Sequence, residues 1–128
     1  MAHPGLYMKE AAGKGRAMFT KTHIPAGTII ETAAVIVLSA EDRKLLDQTL
    51  LHDYIFEWTP GGEAMCCMAL GNIPMYNHSY TSNCEHFMNY EDETMYIKTM
   101  RDITPGEELT INYNGEWNER KAVWFDVK

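Results

Sequence analysis

The chain has 128 residues, 45% of them apolar and 11% aromatic, which is the size and composition of one domain with a single core and excludes a disordered or fibrous protein. A formal net charge of −7 with eleven scattered Lys and Arg residues excludes a phosphate-neutralising nucleic-acid binder and favours a basic protein segment as partner. The longest apolar run, 33–38, is far too short to cross a bilayer, and three cysteines without framework spacing predict reduced thiols in an intracellular protein.

In chain order, the first local signal is Gly13-Lys14-Gly15-Arg16, a turn whose glycines accept unusual backbone angles and let a ligand approach closely; taken alone, an ordinary surface turn is the better reading. Pro25-Ala26-Gly27 is a turn into Thr28 to Leu38, whose β-branched residues predict two short strands or one bent one. Ser39 can cap a helix that begins with Glu41 and Asp42, carries Leu45, Leu46 and Leu50 on one side and ends near Leu51. Thr59-Pro60-Gly61-Gly62 predicts a hairpin between Tyr54 to Trp58 and Glu63 to Leu70. A second hairpin turns near Asp92, with arms Cys84 to Tyr90 and Thr94 to Met100. Thr104-Pro105-Gly106-Glu107 precedes a strand over Leu109 to Tyr113, and Glu116 to Phe125 reads as a short helix or ordered tail. Periodicity thus predicts a mostly β domain with one modest helix and long connections. The acidic runs Glu91-Asp92-Glu93 and Glu107-Glu108 are either attractors for a Lys/Arg-rich segment or solvated turns.

Two segments stand out together: Tyr76-Asn77-His78-Ser79-Tyr80-Thr81-Ser82-Asn83-Cys84 and, thirty residues later, Gly106-Glu107-Glu108-Leu109-Thr110-Ile111-Asn112-Tyr113. With the Gly13-Lys14-Gly15 turn and Ile24-Pro25-Ala26-Gly27-Thr28-Ile29-Ile30-Glu31 ahead of them, they resemble the signature segments of the SET-domain protein lysine methyltransferases. The resemblance implies a β-clip fold, with a pseudoknot-like C-terminal segment tucked under a preceding loop, in a single SET domain over 1–128 without zinc-bearing flanks. It further implies S-adenosyl-L-methionine as cofactor and a basic, histone-like tail as substrate. The Met68-Ala69-Leu70-Gly71 approach and the Asn114-Gly115-Glu116-Trp117 ending are most similar to the small viral members that methylate a histone tail as homodimers, which implies a dimer here too.

Carried over residue by residue, the resemblance assigns cofactor contacts to Lys14, Gly15, Arg16 and Met18, and to Asn77 and His78, whose side chains and backbone can bond an adenine edge and an amino-acid end. Tyr113 falls at the point of methyl transfer, where a neutral hydroxyl can orient the amine and stabilise the transferring methyl; the alternative is a surface aromatic at a strand end. Tyr54 is a second catalytic candidate or a core aromatic. His86 stands where many members carry a second channel tyrosine, so the number of methyls added stays open, and Trp117 is a candidate channel wall or a core-packing residue. His78, Cys84 and His86 lie close enough in sequence to raise a metal site, but their spacing is unlike structural zinc and no metal is expected. The run Tyr80-Thr81-Ser82-Asn83 lacks the proline that many members place there, which predicts a looser turn. A binding module of the same fold that takes up a basic peptide without catalysis, and a methyltransferase for a non-histone protein, are the competing functions.

Overall fold

The computed structural model describes residues 1–13 and 15–113. Its strands are β1 (Leu6–Ala11), β2 (Gly15–Thr20), β3 (Ile29–Leu38), β4 (Phe56–Trp58), β5 (Met65–Ala69), β6 (Asn77–His78), β7 (Cys84–Asn89), β8 (Thr94–Thr99) and β9 (Glu108–Ile111), with one helix, α1 (Ala40–Leu46). They form a four-stranded sheet in the order β1-β2-β9-β6 and a five-stranded sheet in the order β4-β5-β3-β8-β7. The mostly β expectation holds.

Thr28 to Leu38 becomes one strand whose register against β8 shifts between Ile29 and Glu31, so the bent alternative is the one realised. Both predicted hairpins form. Phe56 pairs with Cys67 and Trp58 with Met65 around a turn in which Gly61 and Gly62 take φ of 68° and 85°, angles that cost a side chain dearly. Cys84 pairs with Thr99 and Asn89 with Thr94, and the alternation along β8 buries Met95, Ile97 and Thr99.

The helix departs from expectation at its far end. Ser39 does cap it, accepting the Asp42 N–H at 3.1 Å, but α1 stops at Leu46 instead of Leu51. Thr49 interrupts it: its hydroxyl donates to the Leu46 carbonyl at 2.8 Å and accepts the Leu51 N–H at 3.2 Å, opening a separate 3-10 turn over Leu50–Asp53. Leu45 and Leu50 are 66% and 75% exposed, so the leucine spacing that sets them on one side is not a burial signal here.

One apolar cluster joins the sheets, with Met18, Ile24, Tyr76, Ile97, Leu109 and Ile111 among its fully enclosed members. The five-stranded sheet curls until its two edges meet through side chains: Phe56 of β4 lies 5.2 Å from His86 of β7, and Trp58 packs edge-on against Tyr90 at 4.7 Å. The four-stranded sheet supplies a parallel pair, β6 with β9, in which Asn77 is opposite Thr110 and His78 opposite Ile111. That pairing draws the Asn-His segment and the C-terminal strand together, as the tucked arrangement requires.

Candidate active site

The segments that hold the candidate residues are placed by backbone pairing. β2 pairs with β9 through Met18 and Leu109, and β9 pairs with β6, so residues some 60 and 90 positions apart in the chain become neighbours. Asn77 ties them: its amide donates to Glu108 Oε2 at 3.0 Å and, more weakly, to the Arg16 carbonyl at 3.5 Å. Gly15 opens β2 at φ 76°, and a Cβ built there would meet no atom within 4 Å, so its backbone is open to a ligand. Arg16 is exposed beside it. Met18, two residues further along β2, is 1% exposed with its side chain in the core, so any cofactor contact it makes falls to its backbone. Lys14, Trp117 and the C-terminal aromatics lie outside the described residues.

His78 is buried and its Nδ1 accepts the Tyr113 N–H at 2.9 Å, which puts the proton of the neutral ring on Nε2. Burial lowers its pKa, favouring that neutral form. The same hydrogen bond explains why β9 ends at Ile111 and not at Tyr113: the Tyr113 amide turns out of the ladder to reach His78. The Tyr113 phenol donates to the Tyr76 carbonyl at 2.7 Å. Burial first, then the charges of Tyr54, Asp53 and Glu108, push its pKa up, so it is a protonated donor at neutral pH and not a base. In the turn after His78, which lacks the proline, Ser79 Oγ accepts the Thr81 N–H at 3.1 Å.

On the other side of Tyr113 a cleft of about 670 Å³ opens, lined by Tyr54, Phe56, His86 and Tyr113 among others. The Phe56 ring stands between His86 and Tyr113, 5.2 Å from the first and 6.4 Å from the second. Phe56 had no signal of its own in the sequence: Tyr54 closes the 3-10 turn over Leu50–Asp53 and Phe56 opens β4, so strand alternation does not relate the two. Tyr113 also lies 5.2 Å from His78, so this one ring borders both the Gly15/Arg16/Asn77/His78 group and the cleft. Asp47, Asp53 and Glu57 give the cleft rim an acidic character against Arg43. The two acidic runs noted in the sequence do not form this rim: Glu107 is taken up by Arg101 at 2.8 Å and Glu108 by Asn77.

His86 is 9% exposed, and its Nδ1 is buried without a hydrogen-bond partner among the described residues. Burial lowers its pKa to about 4. A proton that binds the unfolded ring near pH 6.5 is thus refused by the folded one, and stability is fully present above pH 6.5 and lost as pH falls toward 4, by about 3 kcal/mol at most. Urea unfolding between pH 7.5 and 4 should show that loss in the natural chain and a smaller one in His86→Phe; parallel curves would contradict the burial argument. Among the described residues no three His, Cys, Asp or Glu side chains are arranged to hold a metal ion, and Cys84, buried on β7, has its thiol pKa raised to about 12 by desolvation.

Two short signature segments brought side by side, with a tyrosine ring between a buried histidine and an aromatic cleft, are the arrangement expected of a SET-type fold. Residues 15–114 match the SET domain family model. The chain is 33% identical over 124 residues to the Schizosaccharomyces pombe protein described as a histone-lysine N-methyltransferase specific for H3 lysine-37, covering 94% of this chain and 77% of that one. A crystal structure from Plasmodium falciparum, described as that of a candidate histone methyltransferase, superposes with a TM-score of 0.66 at 23% identity over 90% of this chain and 97% of the other, which shows the shared fold. The chain belongs to the SET-domain family of protein lysine methyltransferases.

Proposed function

We propose that this chain transfers a methyl group from S-adenosyl-L-methionine to a lysine in a basic histone tail, with Tyr113 at the transfer point. The observation that carries this reading is the double contact of Tyr113, with His78 on one side and the Phe56-lined cleft on the other. The cofactor supplies a methyl carried on a cationic sulfonium. Gly15 and Arg16 offer backbone to it, and Asn77 and His78 close the group, with Lys14 joining them through the family resemblance.

Tyr54, Phe56 and His86 form walls of the lysine channel, and Trp117 is assigned to it by resemblance alone. An aliphatic lysine stem suits such rings. Because burial keeps both His78 and His86 neutral, neither adds a positive charge against an incoming ammonium. A lysine of ordinary pKa about 10.4 must lose a proton before attack, and an apolar channel beside a sulfonium lowers that value. The Tyr113 hydroxyl, held protonated, orients the amine instead of removing its proton. The net charge of −7 and the acids at the cleft rim support a basic partner, and the yeast relative's description names a histone.

The same reading takes residues 1–128 as one SET domain, places its work at chromatin in the nucleus or on free histones in the cytoplasm, and assigns a homodimer, for which the exposed Leu45 and Leu50 offer apolar surface. Among the described residues no helix is long and apolar enough to cross a membrane. The test is transfer of labelled methyl from S-adenosyl-L-methionine to core histones and H3-tail peptides. Label on a histone lysine is expected. No label, with thermal stabilisation of about 2.7 kcal/mol by cofactor at roughly 100 times its Kd, would move the substrate to a non-histone protein. Neither label nor stabilisation would leave a peptide-binding module.

A further inference from the structure

Glu31 is a carboxyl group in the interior, 2% exposed, on β3 opposite Ile97 of β8. A buried carboxylate is costly unless its oxygens are engaged, and none of the ion pairs among the described residues includes it. Its two oxygens instead grip both ends of one short turn. Oε2 accepts the Asn72 N–H at 2.6 Å, and Oε1 accepts the Tyr76 hydroxyl at 3.0 Å. Gly71, at φ 64°, lets the turn come this close, since a Cβ there would sit 2.6 Å from Glu31 Oε2. Inside the grip the chain makes a single 3-10 turn over Ile73–Met75, with the Met75 N–H on the Asn72 carbonyl at 2.9 Å.

Tyr76 ends that turn, is fully buried, and is the residue whose carbonyl receives the Tyr113 hydroxyl at 2.7 Å. The carboxyl group, the Tyr76 phenol, the Tyr76 carbonyl and the Tyr113 phenol therefore form one tethered series. We propose that Glu31 is a positioning residue for methyl transfer, fixing through Tyr76 the carbonyl that aims the Tyr113 hydroxyl. The inference rests on the reading that Tyr113 stands at the transfer point.

A tether from a rigid strand suits this task. Asn77 and His78, which follow Tyr76 directly, are held by pairing with β9, whereas the turn before Tyr76, packed through Ile73, has among the described residues its local hydrogen bonds and the Glu31 grip. Without the grip the carbonyl can swing while the strand stays. A misplacement of about 1 Å at a reacting centre can cost about 100-fold in rate, and partial loosening costs less.

The experiment compares steady-state kcat and KM, well below the melting temperature, for four variants beside the natural chain. Tyr76→Phe removes the phenol bond to Glu31 and leaves the carbonyl; kcat should fall about tenfold with cofactor KM nearly unchanged. Glu31→Gln keeps an oxygen for the Asn72 N–H and an amide that can donate to the Tyr76 phenol, so its kcat should stay within about threefold of the natural value. Ile73→Val trims the packing of the same turn without touching a hydrogen bond and should leave kcat in place. Tyr113→Phe reports on the underlying reading. If Tyr113→Phe is impaired and Tyr76→Phe is not, the relay fails and the reading stands. If Tyr113→Phe is unimpaired, both fall. Equal losses in Ile73→Val and Tyr76→Phe, or a Glu31→Gln as weak as Tyr76→Phe, would reduce Glu31 to a support of the fold and overturn the proposal.

Discussion

Tyr113→Phe should lower methyl transfer by about 100- to 1000-fold while leaving cofactor affinity within a small factor of the natural chain's. The ring would remain, and with it the packing against Phe56 and His78, because the phenyl body makes those contacts. The backbone bond from the Tyr113 N–H to His78 Nδ1 is likewise untouched. Only the hydroxyl goes, together with its 2.7 Å bond to the Tyr76 carbonyl. Losing one such bond costs stability about 1 kcal/mol, too little to unfold the chain, so a collapse of turnover would report on chemistry. The size of the expected loss follows from what the hydroxyl is asked to do. It is held protonated by burial and pre-aimed by a carbonyl, so it can fix the amine opposite the sulfonium without reorganising at the moment of transfer. Cofactor affinity is measured separately, by calorimetry or thermal shift. A variant with full turnover, or one that loses cofactor binding and turnover together, would remove Tyr113 from the transfer point.

The residues of this site were readable one at a time, but their assembly was not. Alternation and turn residues suffice for β4, β5, β7 and β8, because these are consecutive hairpins whose partners are neighbours in sequence. The β2-β9-β6 arrangement joins segments from both ends of the chain, and no local signal specifies such a pairing; it was reached through the family resemblance of the Asn77-His78 and Leu109 to Tyr113 segments. β1 went unread because Leu6–Ala11 is half exposed and shows no clean alternation. The length of α1 was misjudged because a leucine period persisted past Thr49, where a hydroxyl competing for backbone groups ends the helix. Strand patterning likewise makes Tyr113 the last strand residue. Its amide leaves the ladder for a histidine nitrogen, a tertiary bond that strand patterning cannot foresee. The burial of the Met18 side chain on the inward side of β2 is a tertiary fact that its place beside the glycine turn does not show.

Asn83→Ala should cost about 2–4 kcal/mol of stability, a fall in melting temperature on the order of 10 °C. Asn83 is 3% exposed and its side chain serves β9 from both directions: the amide donates to the Glu108 carbonyl at 2.8 Å, and Oδ1 accepts the Thr110 N–H at 2.9 Å. An amide is the side chain that can do both at once. Alanine leaves a buried carbonyl and a buried N–H without these partners, and water cannot replace the side chain at no cost in so enclosed a place. Asn83→Asp separates the two halves of the role. It keeps an acceptor for Thr110 but turns a carboxylate toward the Glu108 carbonyl, so it should rescue little. The damage should also be local before it is global, because β9 carries Tyr113 into place two residues beyond Ile111. Hydrogen exchange in Asn83→Ala should therefore quicken at the Thr110 and Tyr113 amides by a larger factor than in the β7–β8 hairpin. Uniform acceleration across both sheets would mean that Asn83 stabilises the domain as a whole and does not specifically lock the strand that delivers Tyr113.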